Sequence, residues 1–285
     1  MKWVIRAPDH LGDGVMALPA IHSLAAAFSS NIPILGPAWC QQLYPAHPCF
    51  PPSHRPDADG VILFKPSFGA AWRFRHYAQR IGLQGNFRDF LLTQAVAPTN
   101  GHRKDDYLAI IQTIAPPTIT MPIYTPPNGH TNLKPNDYLL IVGTASPKTV
   151  RWRHFRKLAS LLPKEQVVVA GGPGDEEAVA SIGQGYRQLE TTLSIAEFAY
   201  VTQQAHTVIG LDSGLSHLAA ASRAALNKGR TFIIYGSTSP HQTGPLQTVP
   251  VHHTRPDCWP CYGKRCPIKS PCLDTPATHL LEVLS

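Results

Sequence analysis

Asp13 stands between two glycines, Gly12 and Gly14, after the apolar stretch WVIRA and ahead of a long helical pattern. A glycine-bearing loop between a strand and a helix is where dinucleotide folds lay a pyrophosphate on the helix N-terminus. A carboxylate in that loop repels such an anion, so Asp13 calls for a different chemistry. Asp9 and His10 are its nearest titratable neighbours. A second constellation is TVIGLDSGLSHLAAAS, residues 207–222. There a strand ends at Leu211, Asp212 and Ser213 cap a helix, and Gly214 lets a ligand approach the backbone. The amides of that first turn form an anion site of the size of a diphosphate. Asp212 either caps the helix or accepts hydrogen bonds from sugar hydroxyls, and the stretch alone favours the cap. VVVAGGPGDEE and FIIYGSTSP are also glycine-containing strand exits rich in small and hydroxyl residues. Three such exits in one half of the chain point to a nucleotide–sugar pocket. Thr144, Ser146, Thr238 and Ser239 are candidate phosphate or hydroxyl contacts, although each residue type is also common in plain turns.

Two other motifs carry less. Cys258, Cys261, Cys266 and Cys272 form a C-x2-C-x4-C-x5-C cluster. Its first pair has zinc-ligand spacing, but the later spacings are too tight for a ribbon or finger. A structural metal, a labile disulfide and packed thiols all stay open, with stable disulfides disfavoured in a reducing compartment. Asp57-Ala58-Asp59 has the D-x-D form of a metal-dependent sugar transferase but precedes the strand GVILF instead of following one, so it reads as a solvated turn. Cys40 and Cys49 read as incidental.

The elements that position these residues alternate. WVIRA, IPIL and GVILF read as strands, with helices from residue 14 to 28, 70 to 81 and 105 to 114. Residues 115–135 hold six prolines and no sustained period, which excludes helix and central strand alike. That segment divides the chain into domains of residues 1–133 and 134–285. The alternation then restarts with YLLIV, VVVAGG, TVIGL and TFIIYG as strands and helices between them. Near-continuous apolar strands between amphipathic helices imply parallel sheets covered on both faces. The expectation is an α/β chain of two Rossmann-like domains facing across a cleft, with ligands beyond the carboxyl ends of the strands. Asp13, Thr144, Gly171, Asp212 and Gly236 all fall at such ends.

The bulk properties narrow the partners. Net charge is +7, which suits a phosphorylated ligand or an anionic membrane surface, and no basic run marks a nucleic-acid groove. No apolar run approaches the ~20 residues of a membrane span, and Met1 leads straight into a strand with no signal-peptide pattern. The chain is expected in the cytoplasm.

Taken in order, Gly12-Asp13, RWRHFRKLA, DSGLSHLAAA, YGSTSP and CWPCYGKRCPIKSPC resemble the family of lipopolysaccharide heptosyltransferases, glycosyltransferase family 9, and most nearly its heptosyltransferase II type. The resemblance covers most of the second half and is poor between about residues 37 and 135. It implies the GT-B fold and inverting transfer of heptose from ADP-heptose to the lipopolysaccharide inner core, with Asp13 as general base. It implies donor contacts from Thr144, Lys148, Arg151, Asp212, Ser213, Gly214, Leu215 and His217, and acceptor or phosphate contacts from His10, Gly12, Thr238 and Ser239. The expected partners are an ADP-sugar and a phosphorylated, lipid-linked oligosaccharide met at the inner membrane face, with no nucleic acid. No cofactor or catalytic metal is expected; the cysteine cluster would be a structural clamp near the acceptor. The sequence departs from the family at Val150, where a lysine is common two positions before the tryptophan, leaving Arg151 or Lys148 to supply that charge. Another nucleotide sugar or acceptor on the same fold, a binding-only relative, and a zinc-containing nucleic-acid module are the competing readings.

Overall fold

The computed structural model describes residues 1–143, 151–228, 230–252, 254–263 and 266–284. The chain divides into two compact units, Met1–Ile123 and Tyr124–Ser285. The division comes before the end of the proline-rich segment because its later part belongs to the second unit. Tyr124 N–H donates to the Ala221 carbonyl at 3.1 Å, and Gly129 lies against the Tyr200 ring. Its earlier part is held by Ser23, whose hydroxyl accepts the Thr118 and Ile119 amides.

In the first unit, β1 (Trp3–Arg6), β2 (Ile34–Leu35), β3 (Cys49–Phe50), β4 (Gly60–Leu63), β5 (Gln79–Leu83) and β6 (Gln94–Val96) form one parallel sheet in the order β3-β2-β1-β4-β5-β6. In the second, β7 (Tyr138–Ile141), β8 (Val167–Ala170), β9 (Arg187–Gln188), β10 (Thr207–Leu211), β11 (Thr231–Ile234) and β12 (Val249–Val251) are ordered β12-β11-β10-β7-β8-β9. Counted within its own unit, each sheet has the doubly wound order 3-2-1-4-5-6, and its direction of growth reverses between the first and fourth strands. The central strands are buried on both faces, which is why they read as unbroken runs of Val, Ile and Leu.

The helices that cover these sheets differ in places from the sequence pattern. Helix α1 spans Leu11–Phe28, so Gly12 and Gly14 lie inside its first turn and not in the preceding loop. A Cβ on Gly14 would strike the Trp39 ring of α2 (Trp39–Leu43), so glycine there sets how closely the two helices pack. Over its 18 residues α1 has a mean hydropathy of 1.3, apolar enough to cross a membrane, which the sequence reading passed over. Here it is the core helix of its unit, with 61% of that window buried. The helix expected over residues 70–81 is α3, Phe68–Arg73, and Ile81 belongs to β5. Ala70, Phe74, Tyr77 and Ile81 recur at near-helical spacing, but Ile81 and Leu83 alternate, and the ladders with β4 and β6 take them. Helix α4 is Arg103–Gln112. In the second unit α5 (Phe155–Leu161), α6 (Glu176–Ala180), α7 (Ile195–Gln204), α8 (Gly214–Ala224), α9 (Pro240–Thr243) and α10 (Ala277–Leu284) complete the layers.

One buried cation ties the second unit together. The Arg223 guanidinium, at the end of α8, donates to the carbonyls of Thr202 (2.8 Å), Ala205 (2.7 Å) and His206 (3.2 Å) and to the Thr231 hydroxyl (3.0 Å). It thereby joins the end of α7 to the starts of β10 and β11. Removing a buried donor leaves its acceptors unsatisfied, at roughly 1–3 kcal/mol each where no water replaces it. Arg223→Ala is expected to lower unfolding free energy by about 3–5 kcal/mol, read as a lower urea midpoint with an unchanged slope.

Candidate active site

The carboxyl ends of β1 and β4 meet where the first sheet reverses, and charge gathers there. Asp9, just past β1, is ion-paired with Arg6 of the same strand and with Lys65 just past β4. Burial pushes the Asp9 carboxyl up, but hydrogen bonds from Lys65 and Arg6, with the charges of both, outweigh it and hold its pKa below the ordinary value. Both of its oxygens are occupied, so Asp9 is a weak proton acceptor. His10 is the exposed residue before α1 and makes no side-chain cap. Asp13 lies one turn further on, half-buried in the first turn of α1. After burial itself, its charge is the leading influence raising the pKa of the enclosed Tyr107 hydroxyl of α4, and it is a lesser one on Tyr44. The Tyr44 hydroxyl donates to the Gly14 carbonyl at 2.7 Å. Asp13 thus sits in the first turn of a largely buried helix, near two phenols that burial keeps protonated.

In the second sheet the corresponding ends are those of β7 and β10. Ser213, not Asp212, caps α8: its hydroxyl accepts the Ser216 amide at 3.4 Å. The Asp212 carboxylate turns the other way and accepts from the Thr238 hydroxyl at 2.6 Å, with His217 Nε2 3.4 Å from its other oxygen. So Asp212, Thr238 and His217 form one cluster beside the α8 N-terminus. Gly210 permits this close packing, since a Cβ there would come 2.5 Å from the Ser216 hydroxyl and 3.1 Å from Ile141 Cβ. The Ser216 and His217 amides are used by Ser213, while those of Gly214 and Leu215 have no acceptor within the helix, as in any first turn. The Leu215 side chain lies over Gly172, at the exit of β8.

That exit contributes a residue the sequence reading did not single out. Asp175 is buried beside Gly143 and Gly171, accepts the Gly172 amide at 3.0 Å, and pairs with Arg151 at 3.3 Å. Its carboxylate therefore orients the arginine expected to face the diphosphate. The local signal was the carboxylate in GGPGDEE; its partner 24 positions away was not visible. Thr144, Ser146, Lys148 and Val150 lie outside the described residues. Asp57 and Asp59 sit at the opposite edge of the first sheet, on the Lys2 side chain and amide, as a solvated turn.

The cysteine segment packs against the exit of β11. Trp259 Nε1 donates to the Gly236 carbonyl (3.0 Å), Tyr262 N–H to the Ser237 carbonyl (3.0 Å), and Ser239 N–H to the Tyr262 hydroxyl (3.4 Å). The segment thus holds the loop that carries Thr238 onto Asp212. All six cysteines are free thiols, and among the described residues no group of three or more His, Cys, Asp or Glu is placed to hold a metal ion. The Ser270 amide, donating to Cys266 Sγ at 3.1 Å, and the Ile268 amide hold that thiol below its ordinary pKa, while burial and the neighbouring thiols raise Cys272.

Two outcomes follow. Asp175→Ala removes a partner of Arg151 and the side-chain acceptor of the Gly172 amide and is expected to cost about 2–4 kcal/mol of stability, measured by urea unfolding. Timed iodoacetamide labelling near neutral pH with mass spectrometry is expected to modify Cys266 well before Cys272.

Comparisons with known proteins bear on the fold and the family. The model of glycosyltransferase family 9 (heptosyltransferase) matches residues 117–270. The structure of E. coli ADP-heptose lipopolysaccharide heptosyltransferase II is similar at 21% identity and a TM-score of 0.78, over 100% of this chain and 97% of that one. E. coli heptosyltransferase WaaC with ADP is similar at 16% identity and a TM-score of 0.73, over 100% and 99%. A family 9 glycosyltransferase from Veillonella parvula is similar at 18% identity and a TM-score of 0.67, over 88% and 84%. A comparison with curated protein sequences gives no match. The structural likenesses establish the GT-B fold, and the family model covers more than half of the sequence. The chain belongs to glycosyltransferase family 9, the heptosyltransferase family.

Proposed function

We propose that this glycosyltransferase moves heptose from ADP-heptose to a hydroxyl of a phosphorylated, lipid-linked core oligosaccharide, with inversion and without a catalytic metal. The observation that carries the reading is the separation of chemistry between the two sheet reversals. In the first unit a carboxylate, Asp13, lies in the first turn of the helix that follows β1; in the second, a helix N-terminus lies beside a hydrogen-bonded Asp212. The ligands in structures of the similar E. coli heptosyltransferase WaaC, ADP and ADP-2-deoxy-2-fluoro heptose, support an ADP-sugar here.

In the second unit the α8 amides of Gly214 and Leu215 and the guanidinium of Arg151 would stabilise the leaving diphosphate. Lys148 and Thr144 are proposed to join them. Asp212, fixed by Thr238 and His217, would accept hydrogen bonds from the sugar or ribose hydroxyls. Charge supplied by a helix end and cationic side chains performs the task a metal performs in D-x-D enzymes, and this supports the metal-independent reading. In the first unit Asp13 would take the acceptor proton as the oxygen attacks the anomeric carbon. The transition state gains positive character at that carbon, so a nearby carboxylate also stabilises it. His10 and Gly12 would line the acceptor side, and Thr238 and Ser239 the phosphate side. Asp9 is the poorer base because two cations already hold its lone pairs.

A base acting in the transition state contributes typically ~10²–10⁴ in rate. Asp13→Asn is expected to lower kcat for heptose transfer by about that factor, with ADP affinity within about twofold of the parent chain. Transfer assays beside calorimetry on the same variant check both. Asp13→Asn with near-parent kcat, or Asp9→Asn with the larger loss, would move the base elsewhere.

A further inference from the structure

The first unit displays aromatic rings to solvent on the same sheet edge that carries Asp9 and Asp13. Phe68 and Trp72 of α3 stack in parallel, and Phe90 packs against Phe68, each pair with centroids 6.2 Å apart. Phe68 is 43%, Trp72 48%, Phe90 72% and Phe87 91% exposed. Large exposed rings in one place mark a contact surface.

The loop that carries Phe87 is built, not slack. Gly85, Asn86 and Phe87 all have positive φ, at 108°, 53° and 55°, a backbone that is costly for a phenylalanine. Arg88 beside it is buried and donates to the Leu83 carbonyl at 2.6 Å, the Gln84 carbonyl at 2.7 Å and the Pro66 carbonyl at 3.3 Å. Asp89 accepts the Gly85 amide at 2.6 Å. These bonds staple the exits of β4 and β5 together and hold Phe87 outward.

The charge around the rings is mainly positive, with the Asp89 carboxylate between Phe87 and Phe90. Between Asp59 and Asp89 the sequence holds Lys65, Arg73, Arg75, Arg80 and Arg88 and no carboxylate. Arg73 and Arg75 are exposed, and the Arg75 guanidinium lies 4.2 Å from the centre of the Trp72 ring. Residues 64–80 therefore interleave aromatics with cations, a pattern the sequence reading did not single out. Exposed Trp and Phe flanked by arginines suit the interface of an anionic bilayer, where rings enter the headgroup layer and cations meet lipid phosphates. A second copy of the chain fits poorly, because a two-fold contact would bring these arginines against one another.

We propose that Phe68, Trp72, Phe87 and Phe90, with Arg73 and Arg75, form a docking surface for an anionic lipid membrane. The surface rests on the proposed function for its purpose: it would bring the edge bearing Asp13 to an acceptor carried by a lipid. The test needs no transfer, so its failure is separate from failure of the activity. The full chain is sedimented with vesicles of phosphatidylglycerol and phosphatidylcholine, and with phosphatidylcholine alone. Binding to the anionic vesicles is expected, weakened about tenfold or more by Phe87→Ser with Phe90→Ser. Arg73→Glu with Arg75→Glu is expected to weaken it similarly and to remove most of its salt dependence. Thermal unfolding of each variant at the parent temperature confirms the fold. Vesicle binding that is absent, or equal in parent and variants, would overturn the proposal. So would loss of a dimer or of oligonucleotide binding in the variants without vesicle binding in the parent.

Discussion

The reversal of strand order fixes where this molecule can do chemistry. In each sheet the crossovers diverge at the reversal, and the loops after β1, β4 and β10 lead into the N-termini of α1, α3 and α8. The second sheet holds its opening by close packing. Gly210 lets α8 approach the strands, Asp175 lies over Gly143 and Gly171, and Arg223 ties α7 to β10 and β11 from the opposite end. The first relies on α1, whose glycine at 14 lets Trp39 pack against its first turn. Local backbone chemistry and the buried core therefore act on the same few residues.

Electrostatics then separates roles among similar groups. Asp9, Asp13, Asp175 and Asp212 all lie at strand exits, yet their neighbours differ. Asp9 is neutralised by two cations, and Asp175 is buried against one arginine and a backbone amide. Asp212 is held by a hydroxyl and a histidine. Asp13 faces phenols that burial keeps protonated.

Much of this was legible in the sequence, for identifiable reasons. The strands β1, β4, β7, β8, β10 and β11 announce themselves as runs of Val, Ile and Leu because they are buried on both faces. The edge strands β3, β6, β9 and β12 are two or three residues long and carry no period, and β5 was read as the tail of a helix. The strand exits were legible through their glycines and hydroxyls, but the direction of a side chain was not. Asp212 read as a cap because Asp caps helices, and Ser213 took that position. The pairs Arg151–Asp175 and Asp9–Lys65 join residues far apart in sequence that only the sheet order brings together. The outward Phe87 depends on a backbone conformation with no signature beyond Gly85 and Asn86.

The central claim, that the second unit holds an ADP-sugar by helix and side-chain charge, is tested most directly by calorimetry. ADP, UDP, GDP and CDP would each be titrated into the protein with and without EDTA. The account predicts that ADP binds selectively and equally well in EDTA. Preference for UDP or GDP, ADP binding that EDTA abolishes, or no nucleotide binding at all would contradict it.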